Sequence, residues 1–361
     1  MKVAVVILNW NGKDFLRKFL PSVYYSVSES DFSVDVVVAD NGSTDESLKA
    51  FNTVKESLTN AEGVTLKWLQ LEKNWGFAKG YNLAFKRLKE EGDNSDLYVL
   101  LNSDIDTPDG WLTPLVYFMQ ANPAASICQP KILSYSHHEK VIKGEEKKDL
   151  FEYAGAAGGF IDRFGFPFCR GRILSHLEED NGQYDTPIRC FWASGACMVV
   201  RSSVYHNLGG LDDNFFAHME EIDFCWRSAL MGGEIWCVPS SKVYHVGGGT
   251  LPNNSPRKLY LNYRNNLLML YKNLPERGKG GKIFLRKCLD GLSAVCYFFQ
   301  GNFKLVSAVF KAHRDYKKMK REASVSPRSN SFITERVYGT APFSIVRKFF
   351  TGKKKFSALS F

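Results

Sequence analysis

The chain is 361 residues long, 44% hydrophobic and 24% charged. This globular balance excludes a disordered or collagen-like protein and leaves room for two or three domains of about 100–200 residues each. The formal net charge is +9, but residues 251–361 hold 23 of the 47 Lys and Arg and only five of the 38 Asp and Glu. An acidic body is therefore joined to a strongly basic tail suited to an anionic partner, phospholipid or nucleic acid.

In the opening MKVAVVILNW the apolar run is too short for a secretory signal and gives way to Asn9 and Asn11. Nowhere does an apolar run reach the ~18 residues of a membrane span. The eight cysteines include no Cys-x-x-Cys pair and are too sparse for a disulfide scaffold, so they are expected to be reduced and mostly packed in a cytoplasmic protein.

Residues 3–8 (VAVVIL) form the continuous β-branched run of a strand buried on both faces. Asn11-Gly12 ends it, and Phe15, Leu16, Phe19 and Leu20 recur at helical spacing. A second strand over 34–39 runs into Asp40-Asn41-Gly42, where Ser43 or Thr44 is expected to cap the next helix. A strand over 64–69, a helix over 81–88 and a strand over 97–101 ending in Asn102-Ser103-Asp104 follow. This alternation predicts an α/β fold with a mainly parallel sheet, whose ligands bind at the carboxyl ends of the strands.

Residues 130–189 break the pattern. The polar stretch 137–149 reads as a loop, and 155–172, rich in Gly and aromatics, as an insertion shaping one wall of a pocket. A buried strand returns over 194–200, a loop enters a helix over 215–227, and the tail has helical periodicity.

Asp104 and Asp106 follow a buried strand directly, where two carboxylates at i and i+2 reach toward one hard divalent cation and the diphosphate it bridges. The same Asp-x-Asp before Pro108 is also an ordinary solvated turn. Asp40 ends its own strand and could accept from a nucleobase N–H or a ribose hydroxyl, although DNGSTD is equally good turn chemistry. Glu220, Glu221 and Asp223 sit among Phe215, Phe216, Phe224 and Trp226, where burial raises a carboxyl pKa toward that of a general base. The plainer account is an acidic helix start with Asp223 paired to Arg227 at i+4. His245 in VYHVGGG could join a metal shell or be a packed core residue, and Gly247, Gly248 and Gly249 permit close backbone approach to a phosphate.

Seven segments occurring in order across about 250 residues, VVILNWNG, ADNGSTD, NWGFAKGYN, LLNSDID, SGACMVVR, GGLDDNFFAHMEEIDFCWR and VYHVGGGT, together resemble the inverting glycosyltransferases of family 2 with the nucleotide-sugar-binding GT-A fold. The resemblance extends to the rhamnosyltransferase-like members that assemble bacterial surface polysaccharides. It implies a GT-A catalytic domain over 1–250 (a nucleotide half over 1–129 and an acceptor half with an insertion over 130–250), then a basic helical region over 251–361. It assigns base and ribose reading to Asp40, with Leu8, Asn9 and Trp10 lining the nucleotide site, and Mg2+ or Mn2+ and diphosphate to Asp104, Asp106 and His245. Asn74, Gly76, Phe77, Lys79, Gly80 and Asn82 would close over the donor, with Asn102 beside it. Family members usually carry Glu-Asp where this chain has Glu220-Glu221, so the base is placed on Glu221, with Glu220 and Asp223 as alternatives. Arg170, Arg172 and Trp192 are candidates for a polyprenyl-diphosphate-linked or glycan acceptor.

In the tail, Leu285, Leu289, Leu292, Cys296 and Phe299 fall close to one helical face, with Lys282, Arg286 and Lys287 largely off it. Phe303, Leu305, Val306, Val309 and Phe310 extend the apolar surface, and HRDYKKMKR then supplies cations. This predicts an interfacial region lying on a membrane, each cation gaining roughly 1 kcal/mol near an anionic leaflet; FSIVRKFFTGKKK (343–355) is a second candidate. The alternative is that these helices pack on the body. The protein is thus expected to be cytoplasmic, peripheral on the inner face of the cytoplasmic membrane, with a homodimer left open. Nucleic acid is not expected, because no recognised binding motif accompanies the charge. A dehydrogenase is excluded, since Asn-Trp-Asn-Gly stands where Gly-x-Gly-x-x-Gly should follow the first strand. A catalytically inactive nucleotide-sugar-binding protein or a membrane-surface adaptor stays open as the alternative function.

Overall fold

A computed structural model describes residues 1–247, 255–323 and 337–359; the expected roles of Gly248 and Gly249, and the division placed at residue 250, lie outside the described residues. The body is a nine-stranded sheet in the order β11-β13-β6-β12-β4-β1-β2-β3, with β5 paired to β13. Its centre is β1 (Lys2–Asn9), flanked in parallel by β2 (Ser33–Asp40) and β4 (Leu97–Asn102), with β3 (Val64–Gln70) beyond β2.

Alternate residues of β1 enter cores on opposite faces: Ala4 and Val6 join one cluster, Val3, Val5 and Ile7 the other. Helices α1 (Lys13–Tyr25), α2 (Ser47–Ser57) and α4 (Thr113–Ala121) cover the second face, and α3 (Gly76–Glu90) covers the first. Each fully buried Val or Leu contributes roughly 1.5–3 kcal/mol relative to exposure, which explains the unbroken apolar run.

Register brings the functional ends together. Asn9 pairs with Asp40 and Leu8 with Asn102, so three strands end on one edge of the sheet. The second half adds β6 (Ala125–Ser134), β11 (Ile188–Cys190), β12 (Cys197–Arg201) and β13 (Glu234–His245). Strand β12 runs antiparallel to β4 and β6, and β13 runs parallel to β6. The two-residue β5 (Ile105–Asp106) pairs Ile105 with His245.

The structure departs from the sequence reading in three places. Helix α2 begins at Ser47 because Ser43 turns back, its N–H donating to Asp40 Oδ2 at 3.0 Å. The stretch expected as a loop over 137–149 contains most of α5 (Tyr135–Ile142), a helix with no buried residue and therefore no apolar stripe to announce it. The insertion forms a second sheet of β7 (Gly159–Asp162), β8 (Pro167–Cys169), β9 (Arg172–Ile173) and β10 (His176–Leu177).

The tail continues the chain as helices and a returning C-terminal segment. After α6 (Ser202–Asn207) and α7 (Glu220–Leu230) come α8 (Pro256–Asn273), α9 (Glu276–Phe299) and α10 (Phe303–Met319). Its last part returns as β14 (Thr340–Ala341), parallel to β7, and α11 (Ile345–Phe350). The second interfacial candidate therefore docks on the insertion: Ile345 is fully buried and its N–H donates to Asp162 Oδ2 at 2.9 Å. All eight cysteines are free, six of them buried, with Cys288 and Cys296 exposed.

Asp162 also accepts from the backbone N–H groups of Phe164 and Phe166. Replacing it by Ala orphans one buried and two part-buried donors, and Asp162→Ala is expected to lower the unfolding free energy by about 1–3 kcal/mol. Urea denaturation measures this, and limited proteolysis should cut the C-terminal segment faster.

Candidate active site

A cavity of about 570 Å³ opens at the carboxyl ends of the central strands, a volume suited to one small ligand. One wall holds Leu8 and Trp10 after β1, Asn74, Gly76 and Phe77 at the start of α3, and Asn102 and Asp104 after β4. The facing wall holds Glu152, His245 at the end of β13, Glu220 and Glu221 at the start of α7, and Arg257 and Lys258 on α8. Residues from both halves of the chain thus meet in one space.

The acid pair is delivered by a strained loop. Phe216, His218 and Met219 have φ of 65°, 70° and 74°, left-handed backbone that costs a non-glycine residue about 1–3 kcal/mol. Asn265 of α8, fully buried, holds it: its amide donates to the carbonyls of Phe215, Ala217 and His218 at 2.9, 2.8 and 2.7 Å. From the other side the Phe77 N–H donates to Phe216 O at 2.7 Å. Gly76 has φ of +80°, and a Cβ there would sit 2.7 Å from Phe216 O, so only glycine lets the two segments close.

Glu220 therefore starts α7 buried with Glu221 half-buried beside it, and among the described residues the Oε2 atom of each has no hydrogen-bond partner. Burial pushes Glu221 up to about 7. Glu220 is raised well above the ordinary carboxyl value, by burial and then by the neighbouring Glu221 charge. The Glu221 charge thus favours the protonated form of Glu220. His218, beside them, is lowered to about 4 by burial and by Lys258, so its imidazole is neutral.

A second cluster lies at Asp104. His245 Nε2 is 3.1 Å from Asp104 Oδ1, and its Nδ1 faces Glu152 Oε2 at 3.3 Å. Burial opposes the imidazolium charge, but the two carboxylates outweigh it and hold the His245 pKa up to about 10. Both carboxyls are lowered in turn, burial being overcome by His245. Among the described residues no three His, Cys, Asp or Glu side chains are arranged around a point that could hold a metal. The donor chemistry fits through oxygen: the Asp104 carboxylate is the ligand type that Mg2+ and Mn2+ take, and His245 could join it only by giving up the proton that its two carboxylate neighbours hold on it. Asp106 does not line the cavity; it pairs with Tyr244 in the β5–β13 ladder.

Several sequence candidates have other work. Asp40 is buried and both its oxygens are occupied, by Asn9, by the Ser43 hydroxyl and N–H, and by Gln70, tying three strand ends together. Neither it nor Asn9 lines the cavity. Asp223 is fully buried and bonded to Arg227 at 2.8 Å, Lys272 at 3.0 Å and Asn273 at 2.8 Å, which leaves it no route to a substrate. Arg170 and Arg172, the candidates for the acceptor, are buried. Arg170 donates to the carbonyls of Ala157, Tyr184 and Thr186, and Arg172 lies 4.4 Å from the Tyr153 ring. Trp192 is buried with its Nε1–H on Phe160 O. Lys79 stacks on Trp75 at 4.2 Å, and Gly80 lets α3 press on Leu8. Asn82 joins Leu211 O and Asp213.

Glu152, Asn265, Arg257 and Lys258 escaped the sequence reading. Glu152 meets His245 only through a fold contact, which leaves no local pattern. The consecutive Asn265-Asn266 on the apolar side of α8 was the available signal, since both are buried.

Comparison with known proteins agrees with this geometry. Residues 4–205 match the family profile described as glycosyl transferase family 2. The chain is 22% identical over 245 residues to rhamnosyltransferase WbbL of Escherichia coli K12, covering 67% of this chain and 83% of that one. It is 26% identical over 257 residues to the N-acetylglucosaminyl-diphospho-decaprenol L-rhamnosyltransferase of Mycobacterium tuberculosis, covering 67% and 75%. With the dTDP-rhamnosyl transferase RfbF of Shigella flexneri it shares 22% over 249 residues, covering 66% and 71%. Among solved structures it resembles mannosyltransferase PcManGT from Pyrobaculum calidifontis in complex with GDP-Man and Mn2+, with a TM-score of 0.52, 12% identity and coverage of 87% and 86%. GalNAc-T7 with UDP, GalNAc and Mn2+ gives a TM-score of 0.52 at 16% identity, covering 75% of this chain and 48% of that one. The likeness to these structures is one of fold, the GT-A-like arrangement.

Removing Asp223 leaves the buried Arg227 guanidinium without a carboxylate and Lys272 with Asp212 alone, so Asp223→Ala is expected to cost about 3–5 kcal/mol of stability. Chemical denaturation of the full chain checks this; a variant as stable as the wild type would show that the cluster contributes nothing.

Proposed function

Because the chain belongs to glycosyl transferase family 2, we propose that it is an inverting glycosyltransferase that takes a sugar from a dTDP- or UDP-sugar. The names of its relatives favour rhamnose as the sugar and a glycan or polyprenyl-diphosphate-linked acceptor, in assembly of bacterial surface polysaccharide at the cytoplasmic face of the membrane. The observation that carries this reading is the pair of glutamates, each with an unpartnered Oε2 among the described residues, sharing one cavity with Asp104.

The donor sits with its diphosphate toward Asp104, Arg257 and Lys258 and its anomeric carbon toward Glu221. The acceptor hydroxyl attacks that carbon from the face opposite the diphosphate. As the new C–O bond forms, the bond to the diphosphate oxygen breaks, the nucleoside diphosphate leaves with the electron pair, and the hydroxyl proton passes to Glu221. Glu221 is the base, as the family resemblance places it, and its charge favours a protonated Glu220 beside it. Arg257 and Lys258 offset charge on the leaving diphosphate, and holding donor and acceptor in line supplies much of the rate. Asp104 and His245 would hold a divalent ion, which when bound supplies further neutralisation of the diphosphate. The Mn2+ in both structural relatives favours this.

A base of pKa about 7 makes kcat/KM rise through neutrality to a plateau above it. Glu221→Gln should lower kcat by about 10²–10⁴-fold and abolish that limb. The same shift has a stability signature. Between the ordinary value of 4.5 and about 7 the folded state binds more protons than the unfolded one, so wild-type stability falls as pH rises through that window. Glu221→Gln removes the loss and should be the more stable protein above pH 7, with the difference vanishing in acid. Assays with a panel of nucleotide-sugars and thermal melts at several pH values test both, and near-normal turnover in the variant would remove Glu221 from the role.

A further inference from the structure

Helix α9 is built inside out for water. Its inward face carries the ions: Lys279, Arg286 and Asp290 are all buried. Arg286 Nε donates to Asp290 Oδ1 at 2.8 Å, His313 of α10 meets Asp290 Oδ2 at 3.1 Å, and the Arg286 guanidinium lies 3.8 Å from the Phe166 ring. Its outward face is apolar, with Phe284, Leu292 and Phe299 exposed by 70%, 61% and 83%, and Leu285, Val295 and Phe298 beside them.

At the turn into α10 the rings of Phe298, Phe299 and Phe303 touch and form an exposed aromatic tip. Along the outer side of α10, exposed Phe310 gives way to exposed Lys311, Arg314, Lys317, Lys318 and Arg321. Soluble surfaces scatter single apolar residues and do not assemble them in a continuous helical stripe while turning the ions inward.

We infer that the outer face of α9 and the α9–α10 tip seat this protein on the interfacial layer of an anionic phospholipid bilayer, rings and aliphatic side chains among the acyl chains and the α10 cations on the headgroups. Charge selects this occupant. A second copy would bring up the same basic surface, since 23 Lys and Arg face only five acids in residues 251–361, whereas an acidic leaflet attracts it. No helix among the described residues is long and apolar enough to cross a membrane, so the seat lies along the surface. The inference goes beyond the proposed catalysis and does not depend on it.

Sedimentation of the full chain with vesicles tests it without any assay of turnover. At low salt the protein should pellet with phosphatidylcholine vesicles containing phosphatidylglycerol, at least tenfold more than with phosphatidylcholine alone, and high salt should weaken the binding. Phe298→Ser combined with Phe299→Ser should lower binding at least tenfold with an unchanged melting temperature. Lys317→Glu combined with Lys318→Glu should weaken it several-fold at low salt and little at high salt. The proposal is overturned if the chain stays in the supernatant with anionic vesicles at low salt, or if the double Phe variant binds as the wild type does. It is equally overturned if the chain is a dimer in solution that the Phe variant splits into monomers.

Discussion

The acid pair reaches the cavity only because three residues, Phe216, His218 and Met219, adopt a backbone that the chain would not choose unaided. Such strain survives where the surroundings over-determine it, and here α8 and α3 do so from two sides. The Asn265 amide collects three carbonyls of the loop, Arg264 donates to Phe215 O at 2.9 Å, and the first turn of α3 donates to Phe216 O. The product is a helix start whose two glutamates are pressed away from water while their neighbour Asp223 is fully bonded. Helix α8, which the sequence sets among the tail, is thus part of the body: Asn265 pins the loop, and Lys272 and Asn273 bind Asp223.

The two titrating clusters of the cavity are set apart by environment. At the strand end, Asp104 and Glu152 share a protonated His245, so their carboxyls stay ionised. At the helix start, Glu220 and Glu221 have no cation against them, and burial drives protons on. One fold therefore keeps anionic carboxylates at one end of a pocket and a nearly neutral acid pair at the other. That division suits the proposed chemistry, in which charge accumulates on a diphosphate and a proton must be lifted from a hydroxyl.

How much of this the sequence disclosed depends on the range of the interaction. Asp104, Glu220 and Glu221 were legible because each is announced by neighbours a few residues away, a buried strand before the first and an aromatic-rich helix entry around the others. The Asp223–Arg227 pair was legible for the same reason, being an i+4 contact. Asp40 was visible as a strand end, but its partners Asn9 and Gln70 lie on neighbouring strands, so its full occupation was not. Arg170, Arg172 and Trp192 misled because a buried Arg bonded to backbone carbonyls looks, in a sequence, like a surface one. The periodicity of α9 was plain, yet a stripe of Leu and Phe does not say whether it faces a core or the outside; only the inward-facing Arg286 and Asp290 decide that.

The most direct test of the account is a pH titration of the glutamate side-chain carboxyls in the full chain, followed by carbon-13 NMR. The glutamate base at the start of α7 should give a resonance with a midpoint near pH 7, well above the 4.5 of an unperturbed glutamate, that disappears in Glu221→Gln. If every glutamate titrates in that ordinary range, the acids are solvated and the proposed base has no physical foundation.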